Sequence, residues 1–375
     1  MKNALDKSVN TCRLREARLI KGYKVTEVAE KLNISRQLLS AYELGKISVN
    51  SEIFFGMYSL YGQPSSYYYK DESSNRIRGQ IYFRKFKSSM TIYKEQAETM
   101  ASVAIERVVD FFRGKIQFPK LDNICTDIKL EYSSFTAKPD MNYLACVIRE
   151  RWNLGEMPIG NIVRLLEKKG FIVIEMDFEE KIDGFSFWDN GTPYIFLAKK
   201  NNAFRKRFSV AHELCHLLFH DGECLVEKLN ELEKQANDFA SAFLLPQDGF
   251  LDSIIGTSLN ELLKCKPFWK VSVQAMIVRL HTLKAISEEK YEYLEKMVSR
   301  RHWRKNEPYD DCLEPETPVL LKQAVKLLVE NNIMDKESII EALCINRDMA
   351  EDICGLPRGY FAKGDTLVRK LNFSK

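Results

Sequence analysis

Residues 207–220 read Arg-Phe-Ser-Val-Ala-His-Glu-Leu-Cys-His-Leu-Leu-Phe-His, and the spacing within them organises the rest of the chain. His212 and His216 are four residues apart. On a helix that places two side chains one turn apart on one face, so both imidazoles can grip one metal ion. Glu213, rotated to the side, can reach a water on that metal without being a ligand. The chain has five histidines, and His212, His216 and His220 all fall in this stretch. Chance can produce such a pattern, but the flanking sequence argues against it.

Upstream, Phe171-Ile-Val-Ile-Glu-Met176 and Pro193-Tyr-Ile-Phe-Leu197 are short apolar runs rich in β-formers. Gly184 and Asn190-Gly191 punctuate them, predicting a small sheet with a hairpin before the motif. The motif helix is expected to start near Ser209 and stop at Asp221-Gly222, burying Leu214, Leu217, Leu218 and Phe219. A zinc site needs a third protein ligand, usually with one position left for water. His220 lies about 12 Å from His212 along a helix axis, too far for all three histidines to share one ion. Metzincins break the helix with a glycine three residues after the second histidine, where this chain has Phe219. His220 therefore reads as a residue that supports the ligands or ends the helix. Residues 225–245 form a second helical pattern, with Leu232, Ala236, Phe239, Ala240 and Phe243 repeating and Pro246 closing it. Glu233 and Asn237 are i,i+4 neighbours, so one can coordinate while the other orients. Spacing alone equally allows Glu233 to be a solvated charge beside Glu227 and Glu231.

Arg207-Phe-Ser-Val-Ala-His-Glu-Leu-Cys-His216, then Glu233-Lys-Gln-Ala-Asn-Asp-Phe-Ala240 and Leu244-Leu-Pro246, closely resemble the ImmA/IrrE-type metallopeptidases. The resemblance extends from Leu154-Gly155 and Leu166-Glu-Lys-Lys-Gly170 to Trp269-Lys-Val-Ser272 and Arg279-Leu280, roughly residues 140–310. It implies Zn2+ on His212, His216 and Glu233, with Glu213 as general base. Asn237, His220 and Cys215 are candidates to support the ligands. Cys215 stands where that family usually has glycine; its thiol is either redox-sensitive or simply buried, and burial is the expectation. In such sites zinc lowers the pKa of its water towards about 7, and the glutamate moves the proton to the leaving amine. An oxyanion-stabilising group is expected, but neither His281 nor His302 is assigned that role.

Residues 12–46 carry an independent pattern. Cys12 to Ile20 reads as a basic amphipathic helix with Arg13, Arg15 and Arg18 opposite Leu14 and Leu19, ended by Gly22. Thr26 to Leu32 is a second helix, Asn33-Ile34 a turn, and Ser35 to Glu43 a third, with Ser35 placed as cap and Gly45 as stop. This is a helix-turn-helix, whose second helix enters the major groove of DNA. Arg36, Gln37, Ser40 and Ala41 would face outward, with Lys46 beside them, while Leu39 and Tyr42 face the core. Arginine and glutamine read guanine and adenine through paired hydrogen bonds. Ten basic and five acidic residues give residues 1–50 a net charge of +5, against +4 for the whole chain. The positive balance thus sits where phosphate contact needs it. The segment resembles an Xre-type repressor domain through Arg18, Gly22, Val28-Ala29, Leu32, Ile34-Ser35, Leu39-Ser40, Glu43 and Gly45-Lys46. It departs in having Val25 where glutamine commonly touches phosphate.

The chain of 375 residues has room for two or three domains. Its start lacks an apolar signal region and no stretch of about 18 apolar residues exists, so a cytoplasmic protein without a membrane partner is expected. Nine scattered cysteines without a C-x-x-C pair suit a reducing compartment. Residues 76–87 interleave Arg76, Arg78, Arg84, Lys85 and Lys87 with Tyr82, Phe83 and Phe86. They can stack on single-stranded nucleic acid or form an amphipathic strand or linker with aromatics inward, and the latter is the reading adopted. Residues 90–114 read as a helix with Ile105, Val108, Val109 and Phe112 on one face, and helical segments follow Pro315.

The expected fold is α+β and mainly α, divided as an all-α helix-turn-helix domain over 1–66, a connector over 67–120, a zincin-like peptidase domain over 121–310 with a small sheet and the motif helix, and a helical segment over 311–375. The expected function is a DNA-binding regulator whose zinc endopeptidase domain cleaves itself or a partner regulator to relieve repression. Its partners would be a double-stranded DNA operator, a protein substrate and a second copy in a homodimer. The rival reading is a transcription factor whose peptidase-like domain only senses a ligand or metal. A third is a peptidase whose helix-turn-helix merely recruits its substrate.

Overall fold

The computed structural model describes residues 9–69, 82–83, 91–135, 139–178, 182–220 and 229–362. The fold is α+β and mainly helical, with one small sheet. The chain forms two compact units, one of Met1–Arg76, Ile92–Gln117 and Leu321–Lys375, the other of Ile77–Thr91 and Phe118–Leu320. The expected connector and C-terminal segment are thus each divided between the units. Among the described residues, no helix is long and apolar enough to cross a membrane.

In the first unit, α1 (Thr11–Ile20), α2 (Val25–Lys31), α3 (Arg36–Glu43), α4 (Ser51–Tyr61) and α5 (Ser65–Tyr68) form the helix-turn-helix core around Leu14, Ala17, Val28 and Leu39. Ser35 caps α3 through Leu38 N, and Gly45 follows it with φ of +68°, a backbone shape that suits glycine. The reading of α1 as a basic face needs correction. Arg13 and Arg18 are buried, at 1% and 5% exposure. Arg18 makes a two-pronged pair with Glu43 at 2.6 and 2.9 Å, and Arg13 binds Glu16 and Glu106. Burial against these carboxylates takes Arg13 and Arg18 out of reach of phosphate, while Arg15 stays exposed. The Arg13–Glu106 pair ties residues 92–117 to the helix-turn-helix within this unit. Glu106 lies in a π-helical turn (Ala104–Val109) that follows α6 (Thr91–Val103) and precedes α7 (Asp110–Arg113). Gln63 accepts from Asn346 N at 3.1 Å, next to the helix Arg347–Ile353.

The second unit carries the sheet, in the order β1 (Tyr82–Phe83), β3 (Gly184–Asp189), β4 (Thr192–Ala198), β2 (Ile172–Met176). The β2–β4 pair is parallel, and the other two pairs are antiparallel. Asn190 and Gly191, with φ of +47° and +73°, make the two-residue turn joining β3 to β4. Both positive angles match the twist of the strands, which is why Asn-Gly marks hairpins. Apart from Tyr82 and Phe83, the basic, aromatic stretch 76–87 lies outside the described residues.

Strand alternation gives the sheet two faces. One is an aromatic ladder, with Phe185 on Phe196 and Phe187 on Tyr194 at centroid distances of 5.0 and 5.7 Å. The other packs Val173, Ile195 and Leu197 into one core with Val210, Ala211 and Leu214 of the motif helix. That helix runs over Ala203–Phe219, starting earlier than Ser209 because Asn202 supplies the cap, its side chain accepting from Arg205 N at 2.8 Å. The partner helix runs over Leu229–Leu244; residues 221–228 lie outside the described set.

Candidate metal centre

The motif helix and its partner bring His212, His216 and Glu233 together, all buried, with one ligand atom from each lying within 4.8 Å of the others. The two Nε2 atoms are 3.1 Å apart, and Glu233 oxygens lie 3.6 Å from His212 Nε2 and 3.5 Å from His216 Nε2. Two ligands about 2.1 Å from one ion at a tetrahedral angle stand roughly 3.4 Å apart. The spacing and the two-imidazole, one-carboxylate donor set therefore suit a zinc-like ion. Helix pairing is what selected Glu233 over its acidic neighbours.

The hydrogen bonds behind the ligands fix which nitrogen carries each proton. His212 Nδ1 is 3.1 Å from Asn237 Oδ1, which can only accept. His212 therefore keeps its proton on Nδ1 and presents the Nε2 lone pair. His216 reaches the same state through a longer relay. The Gln235 amide nitrogen faces Glu231 at 3.4 Å, turning Gln235 Oε1 to His220 Nε2 at 3.0 Å. His220 Nε2 thus donates. Burial, reinforced by His216, lowers the pKa of His220 to about 3, so its ring is neutral and its Nδ1 accepts. The proton between His220 Nδ1 and His216 Nδ1, 2.8 Å apart, belongs to His216, whose Nε2 is left to bind. His220 is also the residue that closes the motif helix.

Glu213 points to the sheet. Ser186 Oγ donates to Glu213 Oε2 at 2.6 Å, and Trp188 Nε1 donates to Leu217 O at 2.9 Å, so β3 lies along the motif helix. A Cβ at position 184 would stand 2.9 Å from Phe196 O of β4, so glycine serves the strand pairing there, while Glu213 Cγ at 3.8 Å would be in ordinary contact. Ser186 escaped the sequence reading. The available signal was alternation, which puts residues 184, 186 and 188 on one face of the strand. Cys215 is fully buried against Met141, and burial pushes its thiol well above the usual range. His281 is engaged by Glu288 at 2.8 Å and stacked on Tyr291.

Arg207 anchors the motif helix from the other side. It donates to Ile159 O at 2.7 Å and pairs with Glu316. Glu316 also accepts from Ile162 N at 2.7 Å, capping the helix Ile162–Lys168. Glu316 lies over 100 residues further along the chain, out of reach of any local pattern.

In the first unit, Arg36, Gln37, Ser40, Ala41 and Lys46 line one groove together with Lys24 and Thr26. Arg36, Gln37 and Lys46 are exposed, while Ser40 and Ala41 are partly covered. Val25, the departure from the Xre-type pattern, lines the same groove.

Residues 166–281 match the model of a peptidase family described as the IrrE N-terminal-like domain, and residues 14–62 match the helix-turn-helix model. The chain is a fusion of these two modules. The match to the first spans β2, the hairpin, the motif helix and its partner, so all three candidate ligands fall inside it. No curated protein matches the chain.

Proposed function

We propose that this fusion is a cytoplasmic, DNA-binding regulator carrying a zinc endopeptidase, with His212, His216 and Glu233 as ligands and Glu213 as general base. The observation carrying this reading is the joint arrangement of three buried donors at ligand spacing and an adjacent carboxylate oriented by its own hydrogen bond. When bound, zinc supplies a water with pKa near 7 and polarises the substrate carbonyl. Glu213 would hold the proton taken up at its carboxylate and pass it to the departing amine. Ser186 holds the carboxylate in place for both transfers. Asn237 and the Gln235–His220 relay keep both imidazoles in the tautomer that binds. In the first unit, α3 enters the major groove of an operator as part of a homodimer, and Arg36 and Gln37 read bases. Cleavage of a partner regulator, or of the chain itself, relieves repression.

A sensor reading is favoured by one observation. Glu213 and all three donors are at most 6% exposed, so the site can hold a metal without presenting it to a large substrate. The deciding experiment loads the full chain with zinc and incubates wild type and Glu213→Gln with themselves and with the products of adjacent genes. Cleavage by wild type alone supports the peptidase. Zinc in both with cleavage by neither refutes it and leaves the sensor. A footprint on upstream DNA that Arg36→Ala weakens tests the operator half.

A further inference from the structure

Ser186 of β3 lies against Glu213, and the outer edge of β3 is occupied by this chain's own segment. Ser186 sits opposite Glu213, and Trp188 opposite Leu217 one helical turn later, so β3 and the motif helix run in the same direction. On its inner side β3 pairs with β4. On its outer side, among the described residues, it pairs with Tyr82 and Phe83, antiparallel, with Tyr82 opposite Ser186 and Phe83 opposite Phe185. The backbone of Tyr82 is therefore aligned with the residue that holds the general base. Residues 77–91 belong to the second unit, although the chain on either side of them belongs to the first.

A sheet edge offers a row of backbone donors and acceptors that any extended peptide can take up. An edge alongside a candidate general base is a rail on which a peptide bond can be presented to it. We propose that the outer edge of β3 is the peptide-binding rail of this protein and that its own Tyr82–Phe83 segment occupies it, so that a substrate enters only when this segment leaves. The use of the rail for substrate rests on the peptidase reading above. The occupancy rests on the strand pairing. A tethered segment competes at an effective concentration that reaches the millimolar range, so an incoming peptide meets a large handicap. The segment also lies between the helix-turn-helix and the rest of the chain, so a cut there severs α1–α5 from everything downstream.

The test uses a fluorescently labelled peptide of residues 78–88, Arg-Gly-Gln-Ile-Tyr-Phe-Arg-Lys-Phe-Lys-Ser, added in trans to the zinc-loaded full chain bearing Glu213→Gln. Anisotropy compares that protein with one also carrying Tyr82→Pro and Phe83→Pro, which cannot donate from either residue of the strand. The peptide should bind the proline variant at least about tenfold more tightly, and a scrambled peptide should show no such gain. Equal binding to both proteins, or an equal gain for the scrambled peptide, overturns the proposal. Tyr82→Gly with Phe83→Gly, which weakens the strand while keeping both donors, gives the same comparison if the proline variant fails to fold. Restoring Glu213 then separates the two readings. Tighter peptide binding without hydrolysis sinks the peptidase and keeps the rail. Hydrolysis with equal binding sinks the rail and keeps the peptidase.

Discussion

Replacing His220 tests the relay behind the candidate metal centre most sharply. The side chain is 5% exposed and touches no metal itself, yet its Nδ1 accepts the proton that leaves His216 Nε2 open. In His220→Phe the ring volume is kept and the acceptor is lost. His216 is then no longer held in its metal-binding tautomer, and water has little access to substitute. Loss of such a supporting partner typically weakens metal binding about 10- to 100-fold, which corresponds to about 1.4–2.8 kcal/mol. His220→Asn places an amide oxygen near the position of Nδ1 and should recover most of that loss. Gln235→Leu removes the acceptor that fixes the His220 tautomer, at 3.0 Å, and should fall between wild type and His220→Phe. Competition with a chromophoric zinc chelator measures all four proteins without reference to catalysis. A zinc affinity for His220→Phe within about twofold of wild type, or no recovery in His220→Asn, would refute the tautomer argument.

Glu316→Ala strips Arg207 of its carboxylate and uncaps the helix at Ile162, and should cost about 3 kcal/mol. Calorimetry should then find the second unit melting roughly 10 °C lower, and an unchanged transition would mean that the pair contributes nothing. Arg107 is 1% exposed, beside Arg13, with its guanidinium 5.5 Å over the Tyr67 ring, and burial together with Arg13 holds its pKa below the usual range. Among the described residues its terminal nitrogens make no hydrogen bond, and its Nε lies 3.3 Å from a Glu106 carboxylate that Arg13 already holds, so Arg107→Met should leave stability equal or higher, and a clear loss in chemical denaturation would show that the charge is needed. A thiol reagent should modify exposed Cys146 and Cys312 in the native protein and spare Cys125, Cys215 and Cys354 until unfolding. Rapid native labelling of Cys215, mapped by mass spectrometry, would return it to the redox-sensitive reading.

The motifs of both modules were legible because their determinants are local. A four-residue spacing on a helix, an Asn-Gly turn with two positive φ angles and a serine cap before α3 each act over a few residues, so sequence alone places them. Glu233 was half legible. Spacing put it on a helix, but only packing against the motif helix brought its carboxylate to 3.5 Å from His216. Charges were read least well. Arg13 and Arg18 read as part of a basic helix face until tertiary contacts buried them against Glu106 and Glu43. Ser186 on Glu213, Glu316 on Arg207 and Tyr82 opposite Ser186 join residues 27, 109 and 104 positions apart. Hydrophobic periodicity reports which face of an element is buried, but not which distant polar group meets it there. The sequence by itself determined the two modules and the helices that carry the candidate ligands. Only the folded chain decided the partners of its buried charges, the tautomers of its histidines and the occupant of its sheet edge, because hydrogen bonds and ion pairs act over a few ångströms and take their geometry from packing.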